Sequence, residues 1–308
     1  MRRFRVLIVL ALLVLSSTAL VLYASTAGPK DGPHRPIKAA ATVYVQRDII
    51  VNGLRLRYVD EGVGPPIILL PGHTSRIEEL EPLIGELRGG YRVLVFDFPG
   101  TGYSDKPERE YDLRFYEDTV LGFMQELGIE RCMLGGGSLG GNLALRLAHR
   151  APEKFTRIAA WSPAGAWPRK PAMAWTMRNL GGRVLFWPMV KIQSTYWHRK
   201  GWEGRDATLR ETFTYYREVM SPGFVAMYWG IAADQLVNPL SELAGGIKAP
   251  VLLMWGDQDH GFDIGTGIKK LHQELPGCEL VVFSDTGHSI CTERPDRFTK
   301  VLKEFLAH

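Results

Sequence analysis

The stretch Gly136-Gly137-Ser138-Leu139-Gly140 constrains this chain most, because it stands between an apolar strand-like run and an amphipathic helix-like run. Glycines two residues either side of the serine let the backbone turn sharply and let neighbouring chain approach closely, while the serine takes a strained conformation. Such a turn exposes the serine hydroxyl at a helix N-terminus, where the dipole favours negative charge. In this setting G-x-S-x-G marks a nucleophilic serine, with the Leu139 N–H aimed at an oxyanion. The same residues in a turn that only joins strand to helix would need no partners elsewhere in the chain.

A serine alone is a poor nucleophile, so a base and an orienting acid are expected downstream in the order Ser, Asp or Glu, His. Asp259 follows the apolar run Val251–Trp255 and the turn Gly256-Asp257-Gln258, and His288 follows Leu280–Phe283 and the loop Asp285-Thr286-Gly287. Both lie just past the C-terminal end of a strand, the edge where open parallel sheets gather their sites. A lone histidine is more often structural, but its place after Ser138 and Asp259 in this order reverses that reading. Asp257 and Asp263 are the carboxylates that compete with Asp259, and His260 reads as a surface residue.

The rest of the chain alternates between the two periods. Asn52-Gly53 between Val43–Val51 and Leu54–Val59 predicts a two-residue hairpin. Strands are expected at Ile67–Leu70, Val93–Phe96, Cys132–Leu134, Arg157–Trp161, Val251–Trp255 and Leu280–Phe283, with helices at Ile77–Leu87, Leu113–Leu127, Leu139–His149, Ile264–Leu275 and Arg297–Leu306. Between Pro163 and Pro239 the alternation stops and Trp167, Trp175, Trp187, Trp197, Trp202 and Trp229 lie among helical stretches. An inserted helical lid at 164–239, within a core of 43–163 and 240–308, explains this better than two domains in series. Most of those tryptophans are expected to pack the lid's own small core.

Several of these segments together resemble one family. Asn52-Gly53-Leu54-Arg55-Leu56-Arg57-Tyr58, Asp97-Phe98-Pro99-Gly100-Thr101-Gly102-Tyr103-Ser104, the serine turn, Trp255-Gly256-Asp257-Gln258-Asp259, and Gly287-His288 followed by Glu293-Arg294-Pro295 resemble the α/β-hydrolase superfamily, in its lidded esterase, lipase and carbon–carbon hydrolase group. The likeness spans residues 43–308. It implies an α/β fold with a mostly parallel sheet, an antiparallel N-terminal hairpin and an inserted helical lid, with Ser138, Asp259 and His288 as the triad and Asp97 as a structural support. The family usually has His-Gly where this chain has Pro71-Gly72-His73. The second oxyanion donor is then the His73 backbone N–H, its side chain facing the pocket or capping the next turn. Serine at the elbow argues against dehalogenases and epoxide hydrolases, which carry aspartate there.

The expected chemistry is attack on a carbonyl carbon, an acyl-enzyme and its hydrolysis by water activated at His288, with no cofactor or metal. The leading expectation is ester hydrolysis of a small or medium apolar substrate. Carbon–carbon bond hydrolysis of vinylogous diketones, amide or aminopeptidase hydrolysis and a cofactor-free peroxidase-like side activity use the same triad. The alternative of another class is a non-catalytic ligand-binding receptor on the same fold.

Charge excludes one partner class. The formal charge is +4, and Arg2, Arg3, Arg5 and Lys30, the only charged residues before Asp31, account for all of it, so no basic face for nucleic acid is expected. Residues 1–30 read as a membrane anchor or a signal segment: arginines, the apolar run Val6–Tyr23, then Ser25-Thr26-Ala27 as a small-residue cleavage pattern. Either reading puts the catalytic part on the exported side of a membrane. Cys132, Cys278 and Cys291 make no spaced framework and no metal pattern; a Cys278–Cys291 disulfide stays open.

Overall fold

The computed structural model describes residues 42–260, 264–275 and 277–307. The terminal apolar run, its cleavage pattern and Asp263 lie outside the described residues. No helix among the described residues is long and apolar enough to cross a membrane.

The hairpin forms where Asn52-Gly53 predicts it. β1 (Arg47–Val51) and β2 (Leu54–Glu61) pair antiparallel with Val51 opposite Leu54, and Asn52 and Gly53 take φ of 50° and 80°, as a type I′ turn requires. The strand starts later than the apolar count suggests. Val43 and Val45 precede it and are exposed.

Beyond the hairpin the sheet becomes parallel. It has eight strands in the order β1-β2-β4-β3-β5-β6-β7-β8, with β3 (Pro66–Leu70), β4 (Arg92–Phe96), β5 (Cys132–Gly137), β6 (Phe155–Trp161), β7 (Val251–Gly256) and β8 (Glu279–Phe283) mutually parallel. The uninterrupted apolar runs of β3 and β4 are explained by cover on both faces. One layer holds Ile68, Leu94, Leu134 and Phe123, the other Ile67, Val93, Val95, Leu302 and Phe298.

The helices that cover the sheet are α1 (Glu81–Leu87), α2 (Leu113–Glu126), α3 (Leu139–Arg150), α8 (Ile264–Glu274), the short α9 (Ile290–Glu293) and α10 (Pro295–Ala307). The expected helix over 77–87 is split into a 3-10 turn at Ile77–Leu80 and α1. Pro82 sits in the first turn of α1, where its missing N–H costs nothing and where a new helix begins more easily than an old one continues.

Between β6 and β7 lie four helices, α4 (Pro171–Leu180), α5 (Arg183–Trp197), α6 (Arg205–Val219) and α7 (Pro222–Val237). α7 is apolar on nearly all sides, buries Phe224, Met227, Tyr228 and Trp229, and is the central element of this cap. Ser221 caps it by accepting from Phe224 N.

Candidate active site

Ser138 sits between β5 and α3 with φ 54° and ψ −116°, a left-handed strain that the surrounding chain must hold. The tightness is visible at the flanking glycines. A Cβ on Gly136 would lie 2.4 Å from the Gly140 carbonyl carbon, and one on Gly140 would lie 2.0 Å from the Leu70 oxygen. Only glycine lets β3, β5 and α3 meet this closely.

The loop after β3 runs beside the serine, since a Cβ on Gly72 would be 3.7 Å from Ser138 Cβ. His73 follows Gly72 in this loop and Leu139 follows Ser138 in the chain. Leu139 opens α3, so its N–H has no carbonyl one turn back. Among the described residues neither amide is used in a hydrogen bond.

Asp259 and His288 arrive from the adjacent strands. The turn after β7 buries Asp259, and its Oδ2 lies 2.6 Å from His288 Nδ1, which fixes the imidazole with Nδ1 as donor and Nε2 left to face the cavity. Burial pushes the His288 pKa down, but the charge of Asp259, its hydrogen bond and the charge of Glu293 outweigh this and leave the group above its ordinary value. Asp257 does other work: its Oδ1 accepts from Thr286 N at 3.4 Å. His260 is exposed, as expected.

Glu293 is a residue whose role the motif alone left unassigned. Its buried carboxylate accepts from Gly287 N and from Arg199 N, each at 3.0 Å. One side chain thus holds both the histidine loop and the end of the cap. A second tie joins them directly, Ser289 N donating to Trp197 O at 3.1 Å. Asp97 is similarly structural, accepting from Ile77 N, Tyr103 N and Arg57 Nε.

Ser138, Asp259, His288 and His73 line one cavity of ≈ 1210 Å³ under the cap. On the cap side its wall includes Trp167, Met177, Trp197, Tyr216, Tyr228 and Leu236; on the other it reaches Leu83 and Thr299, between α1 and α10. Of the cap tryptophans, Trp167 and Trp197 line the cavity, Trp229 is buried in the cap and Trp175 is exposed. Helical periodicity finds buried faces but not which of two buried faces borders a void, so Tyr216 and Tyr228 were not legible as pocket residues.

The His73 side chain faces this cavity. Its ring stacks on Tyr228 with centroids 5.1 Å apart, and its buried Nε2 has no hydrogen-bond partner among the described residues. Burial pushes its pKa down to about 4, against a hydrogen bond with the Tyr228 backbone, so the ring is neutral at pH 7. Among the described residues no cluster of His, Cys, Asp and Glu could hold a metal ion, and all three cysteines are free thiols.

With this geometry in view, comparisons with known proteins agree on one architecture. The model of the alpha/beta hydrolase family matches residues 67–301. The chain is 27% identical to a 2-hydroxymuconate semialdehyde hydrolase of Pseudomonas putida over 85% of this chain and 94% of that protein. It superposes on the enol-lactonase from Burkholderia xenovorans LB400 with TM-score 0.73 and 27% identity, covering 85% of this chain and 100% of the other. A bacterial membrane phospholipase A shares the fold at TM-score 0.71 and 23% identity, over 100% of this chain and 98% of that one.

Proposed function

The chain belongs to the alpha/beta hydrolase family, and within it we propose a serine hydrolase that cleaves a bond to a carbonyl carbon through an acyl-enzyme. The observation that carries this is the 2.6 Å contact of His288 Nδ1 with Asp259 Oδ2 in the cavity that Ser138 also lines. His288 Nε2 takes the Ser138 proton as Oγ bonds to the carbonyl carbon. The carbonyl oxygen becomes an oxyanion held by the N–H groups of His73 and Leu139. When the tetrahedral intermediate collapses, His288 gives its proton to the departing group, and a water activated by the same nitrogen then frees the acyl group.

The relatives support a departing group that leaves as a stabilised enolate. The names of two of them specify hydrolysis of 2-hydroxymuconate semialdehyde and of an enol lactone. In the first a carbon departs and in the second an enol oxygen, and one serine mechanism serves both. Carbon–carbon hydrolysis of a vinylogous diketone or opening of an enol ester is therefore the first reading.

Cleavage of an ordinary carboxylic ester is the second reading, favoured by the aromatic and aliphatic residues in the cavity lining. The cavity lining includes Trp161, Trp167, Met177, Tyr228 and Leu236, and Arg76, which also lines it, is held by Glu78 and Glu211. A wall of this kind suits an uncharged apolar substrate. Parallel assays with a 2-hydroxy-6-oxo-dienoate and a neutral p-nitrophenyl ester series, each repeated with Ser138→Ala, separate the two. Turnover of the dienoate alone supports the first, turnover of the esters alone the second, and Ser138-independent turnover of both contradicts the mechanism.

A further inference from the structure

We propose that Tyr216, a residue of the cap, is a positioning residue for the reaction: its hydroxyl holds Thr74 and, through Thr74, the backbone of His73. The inference deepens the serine-hydrolase reading and rests on its assignment of the His73 N–H as an oxyanion donor. The loop that joins β3 to the 3-10 turn carries Gly72, His73, Thr74 and Ser75. Thr74 takes φ 66° there. A β-branched residue is an outlier in this left-handed region and stays in it only where its surroundings hold it.

Two hydrogen bonds hold it. Thr74 Oγ1 donates to His73 O and lies 2.5 Å from the Tyr216 hydroxyl. A threonine has one hydroxyl proton, and here it goes to His73 O, so Tyr216 is the donor in the second contact. Burial raises the Tyr216 pKa above its ordinary value against the Thr74 hydrogen bond, which keeps that proton in place. Both side chains are buried, and the Tyr216 ring is aimed by the cap core: the rings of Phe186, Trp197, Tyr215 and Phe224 pack around it with centroids 5.6–6.4 Å away. Holding His73 O limits how far the N–H of the same residue can turn. α6 makes two more ties to this end of the sheet. Glu211 pairs with Arg76 at 3.3 Å, and the Tyr215 hydroxyl accepts from Gly102 N at 2.7 Å. One cap helix therefore holds the loop after β3 and the loop after β4. Tyr216, Thr74 and Ser138 line the same cavity, so the seating of α6 acts on the bond-breaking step as well as on the choice of substrate.

The test follows phosphonylation of the full chain by a fluorophosphonate over a range of probe concentrations, which separates the maximal rate from the half-saturating concentration. Tyr216→Phe keeps the ring and removes only the hydroxyl. The expected result is a maximal rate about tenfold lower at an unchanged half-saturating concentration, less than the ~10²–10³ lost when an oxyanion donor is removed outright. Thr74→Val is expected to lose as much, and the double variant no more than either single one, because both break the same contact. Thr74→Ser, which keeps the hydroxyl, is expected to retain most of the rate that Thr74→Val loses. An equal maximal rate in Tyr216→Phe and the parent overturns the inference, as does a change confined to the half-saturating concentration, or losses that add in the double variant. A parent that does not react overturns the hydrolase reading and this inference with it, whereas a reactive parent with an equally reactive Tyr216→Phe overturns this inference alone.

Discussion

His288 Nδ1 stands 2.6 Å from Asp259 Oδ2, and Asp259 is 2% exposed, so a buried carboxylate orients the imidazole. Asp259→Asn keeps the shape but removes the charge and favours the wrong tautomer. A loss on the order of 10⁴ in kcat is expected, the magnitude known for this change in the serine-protease triad. Steady-state kinetics on a soluble substrate measure it. A loss below about tenfold would move the orienting role to another group.

The pH dependence follows from the direction of the His288 shift. The imidazole must be neutral to accept the Ser138 proton, and Asp259 and Glu293 together hold its pKa above the ordinary value despite burial. The kcat/KM is therefore low in acid and rises with pH, with a midpoint above about 6.5. His73, pushed down to about 4, stays neutral across this rise. His73→Gln is expected to leave the midpoint in place, and a pH profile of both proteins checks this.

His73 Nε2 is a buried acceptor without a partner beside the proposed oxyanion site. A substrate hydroxyl or N–H placed against it would repay that desolvation. His73→Phe preserves the stack on Tyr228 and removes the acceptor. The expected result is a rise in KM on the order of tenfold for substrates that carry such a donor and little change for those that lack one.

Glu293 couples the histidine loop to the cap through the Gly287 and Arg199 amides. Glu293→Ala leaves the buried Gly287 N–H and the half-buried Arg199 N–H without this acceptor, a cost of about 1–3 kcal/mol. A fall in the urea midpoint with an unchanged slope is expected, together with loss of activity greater than the fraction unfolded explains. Equal stability of the variant and the parent would remove Glu293 from this role.

Some of this was written locally in the sequence and some was not. The Asn52-Gly53 turn was legible because positive φ at two successive positions selects few residues. The positions of Ser138, Asp259 and His288 were legible because each follows a strand whose apolar run is unmistakable. β5 was harder. It extends through Gly135, Gly136 and Gly137, poor strand formers that are held in line only by β3 and β6 on either side. The cap was least legible: α5 is apolar on both faces, so no pattern announces which face meets the core. The tie from Glu293 to Arg199 spans 94 residues and could not be inferred from spacing.

The central claim is that Ser138 is an activated nucleophile. Labelling of the full chain with a fluorophosphonate probe, followed by peptide mass spectrometry, tests it directly, with Ser138→Ala and His288→Ala alongside. The account predicts one modified peptide, bearing the phosphonyl group on Ser138, and no label in either variant. Label on another residue, or label that persists in Ser138→Ala, would contradict it.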